Sequence, residues 1–274
     1  MAVVISSDLV LSAQAGEVQP LTHARIMYQN LVPDAEVTGA TESAGFEADA
    51  TQSYSTYDRW LPTEIPATIT YDFGELKDFD YIFIASHNLG SSAAAILPEY
   101  SLDGETWDEF SAERIPSNDS ALAFLNSEVT GRYMRLTITS ATTIPVIGVV
   151  MCGVALAMER AIYGGHTPVT LSRQTEMRPS QSEGGQWLGR SVVRKGYSTS
   201  YSWSNLTAAW YRANFDPFVK QARFQPFGIA WRPETFPDEV VYAWTNGDIA
   251  PSNTGTRNLM SVGMSIIGYD AGDL

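Results

Sequence analysis

The sequence predicts a mainly β protein: a β-sandwich or barrel in the first half, then a second β-rich unit with one helix. Three observations predict it. Short apolar or alternating runs recur between turn signals. The 274 residues include 21 Gly, 14 Pro, 13 Tyr and 7 Trp, which suits many turns and aromatic-rich sheets. Only one segment has convincing helical periodicity. Hydrophobic residues make up 44% and charged residues 18%, which excludes a disordered chain.

The first strand signal is Ala24-Arg25-Ile26-Met27-Tyr28. A polar loop region follows over about residues 33–63. Thr68-Ile69-Thr70-Tyr71-Asp72-Phe73 then alternates, with Ile69, Tyr71 and Phe73 on one face. Gly74-Glu75-Leu76-Lys77 reads as a turn. Tyr81-Ile82-Phe83-Ile84-Ala85 is continuously apolar, β-branched and aromatic, as in a strand buried on both faces. A loop over 87–94 leads to the strand 98–102, which ends in the hairpin signal Asp103-Gly104. Residues 133–139 alternate again, and 146–154 form a closing apolar strand.

Residues 159–166 read as a boundary, giving an N-terminal arm (1–22), a first domain (23–158) and a second domain (159–274). The second domain is expected to hold a strand at 169–173, a polar loop at 178–186, and strands at 187–194 and 197–203. A helix follows near 205–222. Ser204 or Asn205 can cap it, Leu206, Ala209, Trp210 and Ala213 share a face, and Asp216-Pro217 starts a second short turn. Strands at 227–231, 240–244 and 259–268 complete the unit.

Charge narrows the function. The chain has 17 Lys and Arg against 31 Asp and Glu, a net of −14, which argues against a general nucleic-acid binder. Residues 1–158 hold 21 acids and 6 bases, whereas 159–274 hold 10 acids and 11 bases. The most apolar stretch, 144–158, is shorter than the ~20 residues a membrane helix needs, and Pro145, Gly148 and Gly153 interrupt it. The first residues lack the basic and apolar regions of a signal peptide, so synthesis and folding in a cytoplasm are expected.

Chemistry is sparse. His23, His87 and His166 lack metal-ligand spacing, and no nucleophile elbow, Walker loop or dinucleotide fingerprint occurs. Cys152 lies in an apolar strand, as a structural thiol would. Acid pairs such as Asp72 with Glu75, or Asp103 with Glu105 and Asp108, sit on turns, where acids are ordinary. The expectation is a non-enzyme with no cofactor and no metal.

Three ordered motifs carry a resemblance. Tyr100-Ser101-Leu102-Asp103-Gly104-Glu105-Thr106-Trp107, the upstream Ile69-Thr70-Tyr71-Asp72-Phe73-Gly74-Glu75 and the downstream Gly131-Arg132-Tyr133-Met134-Arg135-Leu136 resemble discoidin-type, galactose-binding-like domains. The similarity covers about residues 22–158 and implies a jelly-roll β-sandwich. It assigns most motif residues to the fold: Asp103-Gly104 to a hairpin turn, Trp107 to the core, Arg135 to a cross-sheet acid. Function in such domains lies in loops at one end of the sandwich. The matching loops offer Tyr54, Tyr57, Arg59, Trp60, His87 and Asn88 as candidate carbohydrate-binding residues, because sugars are held by aromatic stacking and a few convergent polar groups. The competing reading gives Trp60 to the core and His87 to a backbone hydrogen bond. A structural calcium ion, common in that family, would need several converging oxygens, which a linear sequence does not show.

A second resemblance is to tail proteins of long-tailed bacteriophages. It rests on Gly228-Ile229-Ala230-Trp231-Arg232-Pro233-Glu234-Thr235-Phe236-Pro237-Asp238-Glu239, on Val241-Tyr242-Ala243-Trp244, on Asn246-Gly247-Asp248-Ile249 and on the strand 259–268. Asp58-Arg59-Trp60-Leu61-Pro62 and Ser86-His87-Asn88-Leu89-Gly90 look like phage versions of the jelly roll. The resemblance implies a minor or distal tail protein at the tail tip or baseplate, made in the host cytoplasm and located in the virion. It would form a homo-oligomeric ring and contact other tail proteins, and its first domain could meet a host-surface glycan. Residues 187–203 and 178–186 are the expected assembly surfaces. The alternatives are a host-glycan adhesion module without an assembly role, and a polysaccharide depolymerase, which would need a cleft with paired carboxylates.

Overall fold

The computed structural model describes residues 3–11, 13–14, 17–162, 164–255 and 257–271. Tyr163, inside the expected boundary, lies outside them, as do residues 1–2 of the arm. In chain order the strands begin with β1 (Val3–Ile5), β2 (Ala13–Gln14), β3 (Glu17–Val18), β4 (Arg25–Met27) and β5 (Glu36–Gly39). Next come β6 (Ala67–His87), β7 (Ala95–Ser101), β8 (Asp108–Glu109), β9 (Leu122–Ser140), β10 (Ile147–Gly153) and β11 (Leu156–Ala157). The second half adds β12 (Arg173–Gln181), β13 (Trp187–Thr207), β14 (Phe227–Ala230), β15 (Val240–Thr245), β16 (Pro251–Thr254) and β17 (Leu259–Gly268). The fold is mainly β, as the sequence predicts, and its first half is a β-sandwich.

The first sheet has the order β10-β6-β9-β7-β8, with β1 added to β9 and β5 to β6. Its frame is the long antiparallel pair β6 and β9, in register from Ala67 opposite Ile138 to Ile84 opposite Leu122. Residues 74–77, expected as a turn, are instead a bulge inside β6. The register shifts between Asp72 and Lys77, Gly74 takes φ +75°, and its N–H donates to Asp72 Oδ1 at 2.7 Å. A bulge bends a strand without ending it. Both halves of the bent pair therefore face one core: Ile69, Tyr71, Ile82 and Ile84 from β6, and Phe124, Met134 and Leu136 from β9.

The second sheet has the order β11-β4-β14-β15-β17-β13-β12, with β16 on β17. It takes two strands from before residue 159. Ile26 of β4 pairs with Leu156 on one side and Ile229 on the other. The first expected strand thus belongs to the second sheet, while β1, from the expected arm, runs parallel to β9 in the first.

The apolar run 81–85 explains how the two sheets meet. Ile82 and Ile84 point into the sandwich core. Tyr81, Phe83 and Ala85 point the other way, into a seam with Met27, Ala230, Val240 and Tyr242. Val149 and Met151 of β10 join the seam, and Val150 and Cys152 face the sandwich. All are buried. Alternation between two cores is what a middle layer requires, and each large side chain so buried contributes roughly 1.5–3 kcal/mol. On the far face of the second sheet, Ile26, Ile229 and Val241 pack under the helical segment 208–222.

That segment differs from its expected form. β13 continues to Thr207, so neither Ser204 nor Asn205 is the cap. Asn205 sits at a register shift with φ +61°. Thr207 caps α1 (Ala208–Trp210), accepting the Trp210 N–H, and the Glu159 carboxylate accepts both the Thr207 N–H and hydroxyl, at 2.7 and 2.8 Å. A π-turn at Tyr211–Phe215 leads into α2 (Asp216–Ala222), with Pro217 in its first turn, where no N–H is needed.

Residues 169–196 differ most. Val169–Leu171 is a single 3-10 turn, not a strand. Residues 178–181 of the expected loop 178–186 belong to β12 and 182–186 form the turn that follows it, while the two expected strands 187–194 and 197–203 are one, β13. Gly196 does not break it, because it pairs with Gln174. β17 covers β13 only from Tyr197 onward. Residues 173–196 are thus a two-stranded ribbon standing clear of the sheet.

Candidate functional site

The segment between β5 and β6 wraps one end of the sandwich. Trp60 fixes it: its backbone exchanges two hydrogen bonds with Ile147 (2.8 and 3.1 Å), and its indole N–H donates to Thr41 O at 3.1 Å. The Thr51 hydroxyl adds a second anchor, 2.7 Å from Ala48 O and 2.8 Å from the Tyr71 hydroxyl. Between these anchors, residues 45–59 surround an open hollow of about 560 Å³.

Of the six expected site residues, the structure brings two to this hollow. Tyr57 is 86% exposed, and Arg59 lines the same wall. The other four serve the fold. Trp60 and His87 are fully buried. The His87 Nδ1 accepts the Leu89 N–H at 3.3 Å, and burial lowers its pKa to about 4. The Asn88 side-chain oxygen accepts the Val146 N–H at 2.7 Å, and its carbonyl accepts from Ser92, so it pins a turn. Tyr54 faces the second unit. Its hydroxyl donates to Gln225 Oε1 at 3.3 Å, and its carbonyl accepts the Tyr242 hydroxyl at 2.8 Å. Burial keeps Trp60 and His87 from touching a sugar in solvent, while Asn88 and Tyr54 are part-buried and bonded within the fold.

Sequence reasoning missed Phe46, Glu47, Asp49 and Asp58, which also line the hollow. The available signal was Phe46 itself, a large apolar residue inside a polar loop, and it is 44% exposed. Glu47 accepts the Gly45 N–H at 2.9 Å, which holds its carboxyl below the usual carboxylate range. The hollow thus presents two ring faces, Phe46 and Tyr57, with a guanidinium and three carboxylates around them. Rings can stack on the apolar face of a pyranose while carboxylates accept hydrogen bonds from its hydroxyls.

Two of the acids singled out in the sequence are bonded within the fold. Arg132 holds Asp72 by two hydrogen bonds of 2.8 Å and lowers its pKa. Asp103 accepts the Glu105 and Thr106 N–H groups at 2.8 Å, closing the turn at Gly104, whose φ is +80°. The discoidin-like motifs are held together by these charges: Asp72 with Arg132, and Glu99 with Arg135. Trp107 lies under the Arg135 guanidinium, 4.0 Å from its ring centre, rather than in the core. Among the described residues, no three His, Cys, Asp or Glu side chains are grouped to hold a metal ion. No helix among them is long and apolar enough to cross a membrane.

Comparison with known proteins agrees with this architecture. Residues 35–151 match the F5/8 type C domain family. Several solved structures are similar to part of the chain. Chitosan-binding module 1 from a chitosanase/glucanase of Paenibacillus sp. IK-5 is 18% identical, with a TM-score of 0.41 over 45% of this chain and 98% of that one. The family 32 module of NanJ from C. perfringens, in complex with galactose, is 11% identical, with a TM-score of 0.40 over 47% of this chain and 98% of that one. SpGH29 is 21% identical, with a TM-score of 0.40 over 46% of this chain; the alignment spans 28% of SpGH29. No curated protein matches the chain.

Proposed function

We propose that this protein is a self-assembling structural component of a bacteriophage tail tip, which holds a carbohydrate-binding-like sandwich in a fixed orientation toward the host surface. The observation that carries the reading is the seam. A binding module on a flexible tether leaves the outer wall of its sheet to solvent, whereas here Phe83 and Tyr242 stack across the junction, with ring centroids 6.1 Å apart. Strands from before residue 159 also complete the second sheet. Such a buried apolar junction removes the relative motion expected of loosely joined domains. The phage assignment draws on the motifs of residues 228–249 and 259–268, and the glycan assignment on the hollow at Phe46 and Tyr57.

The test is gold-labelled antibody against this chain on phage particles from the source strain. Label at the tail end is expected. Unlabelled particles with accessible epitopes would overturn the tail assignment.

A second reading, a glycan adhesin without an assembly role, is favoured by the hollow alone. It predicts glycan-array binding by a chain that stays monomeric.

A further inference from the structure

The ribbon of β12 and β13 is the least explained part of the molecule. Apart from Ser182 and Gly189, every residue from 173 to 195 is exposed. A lone two-stranded ribbon is at best marginally stable in water. This one also displays apolar side chains. Met177 and Val192 are cross-strand partners, and Gln181 pairs with Trp187. Met177 and Gln181 are four positions apart on β12 and so share a face, and the register shift after Ser180 sets Trp187 opposite Gln181. Trp187 is 69% exposed, Val192 47% and Met177 41%.

Its charge opposes that of the rest of the chain. Residues 173–196 carry Arg173, Arg178, Arg190, Arg194 and Lys195 against Glu176 and Glu183. Among the described residues, only Arg194 of these five bases has an ion-pair partner, Glu176 at 3.8 Å. The sandwich supplies the complement. β8 is the outer strand of the first sheet. Around it stand the exposed acids Asp103, Glu105, Asp108, Glu109 and Glu113, flanked by Leu102 and Ile115, which are 60% and 54% exposed.

We infer that the β12–β13 ribbon is an intermolecular arm that docks on the acidic β8 edge of a second copy of this chain. Basic and apolar groups on the ribbon meet acidic and apolar groups on the edge, and both elements end in unpaired strand edges. Because the two surfaces differ, the contact is head-to-tail, and repetition closes a ring or extends a filament. A nucleic acid is the poorer occupant, since the remainder of the chain would repel it. The inference deepens the self-assembly part of the proposed function. Particle labelling tests location and solution association tests the arm, so each can fail alone.

The experiment is light scattering on the size-fractionated full chain, across ~1–100 μM protein, at low salt and at 1 M salt. Oligomers are expected at low salt, with weaker association at 1 M, where the Debye length falls to ~3 Å. Arg178→Glu with Arg190→Glu should weaken association at least ~10-fold, which is ~1.4 kcal/mol. Asp108→Lys with Glu109→Lys should do the same, and the four changes together should restore it. All four side chains are exposed, so unchanged melting midpoints verify the fold. A monomeric wild-type chain overturns the inference. So does an oligomer indifferent to the arm variant, or a loss that edge reversal does not rescue.

Discussion

Arg135 grips Glu99 with two parallel hydrogen bonds, both 2.7 Å, across adjacent strands of the sandwich. The Trp107 ring covers the other side of the guanidinium, and Thr137 donates a third bond to the carboxylate at 3.0 Å. Glu99 is 8% exposed. A charge this buried is tolerated because its lone pairs are satisfied. Glu99→Ala leaves Arg135 without a counter-charge in a partly buried site. It should cost about 3 kcal/mol, read from the denaturation midpoint. Glu99→Gln, which keeps one hydrogen bond, should cost less.

His87 gives the protein a defined pH response. Its folded pKa, lowered by burial to about 4, lies below the unfolded value of 6.5. Between these values the unfolded chain binds more protons, so stability rises with pH across the window and is lost as pH falls through it. The slope approaches one proton, about 1.4 kcal/mol per pH unit. His87→Gln should remove that part of the slope between pH 4.5 and 6, measured by urea unfolding. An unchanged slope would show that His87 does not titrate on unfolding.

The seam predicts a mechanical effect. Phe83→Ala removes a fully buried ring that packs on Tyr242. It should cost about 3–5 kcal/mol. It should also let the two sheets part, with faster proteolysis near residues 159–166. Gly228 sits under the same ring: a Cβ there would lie 2.9 Å from Phe83 Cε2. Gly228→Val should therefore give the same phenotype by overpacking.

The hollow separates binding from folding. Tyr57→Ala should leave the melting midpoint within about 0.5 kcal/mol of wild type, since the ring is exposed. It should abolish any signal on a glycan array. Trp60→Ala should instead cost about 3–5 kcal/mol, because Trp60 is fully buried. A glycan signal that survives Tyr57→Ala and Phe46→Ala places binding elsewhere.

These contrasts show what the sequence could convey. Strand existence was readable because Ile69, Tyr71 and Phe73 alternate and 81–85 does not, and the structure explains both patterns by one buried face and by two. The partners of those strands were not readable. Nothing local in Ile26 says that it pairs with Ile229, some two hundred residues away. Gly74 was misleading in another way, since a glycine marks a bulge as readily as a turn. At the site, residue type suggested rings and cations, but burial decided which were available. Trp60 and Tyr57 lie three positions apart, yet one is in the core and the other in solvent.

The pairing of β1 with β9 and of β4 with β14 also orders events on the ribosome. Val3 finds its partner Ala123 only after some 120 further residues have been made, and Ile26 waits longer for Ile229. At ~5–20 residues per second, that second interval is on the order of 10–40 s. From the synthesis of Met151 until Ala230, Val240 and Tyr242 follow, the seam face of Phe83 and Met151 has no lid. A nascent chain stalled near residue 158 would carry a finished sandwich core and a bare apolar outer wall. Productive folding therefore depends on the last third of the chain arriving before neighbouring nascent chains find that wall.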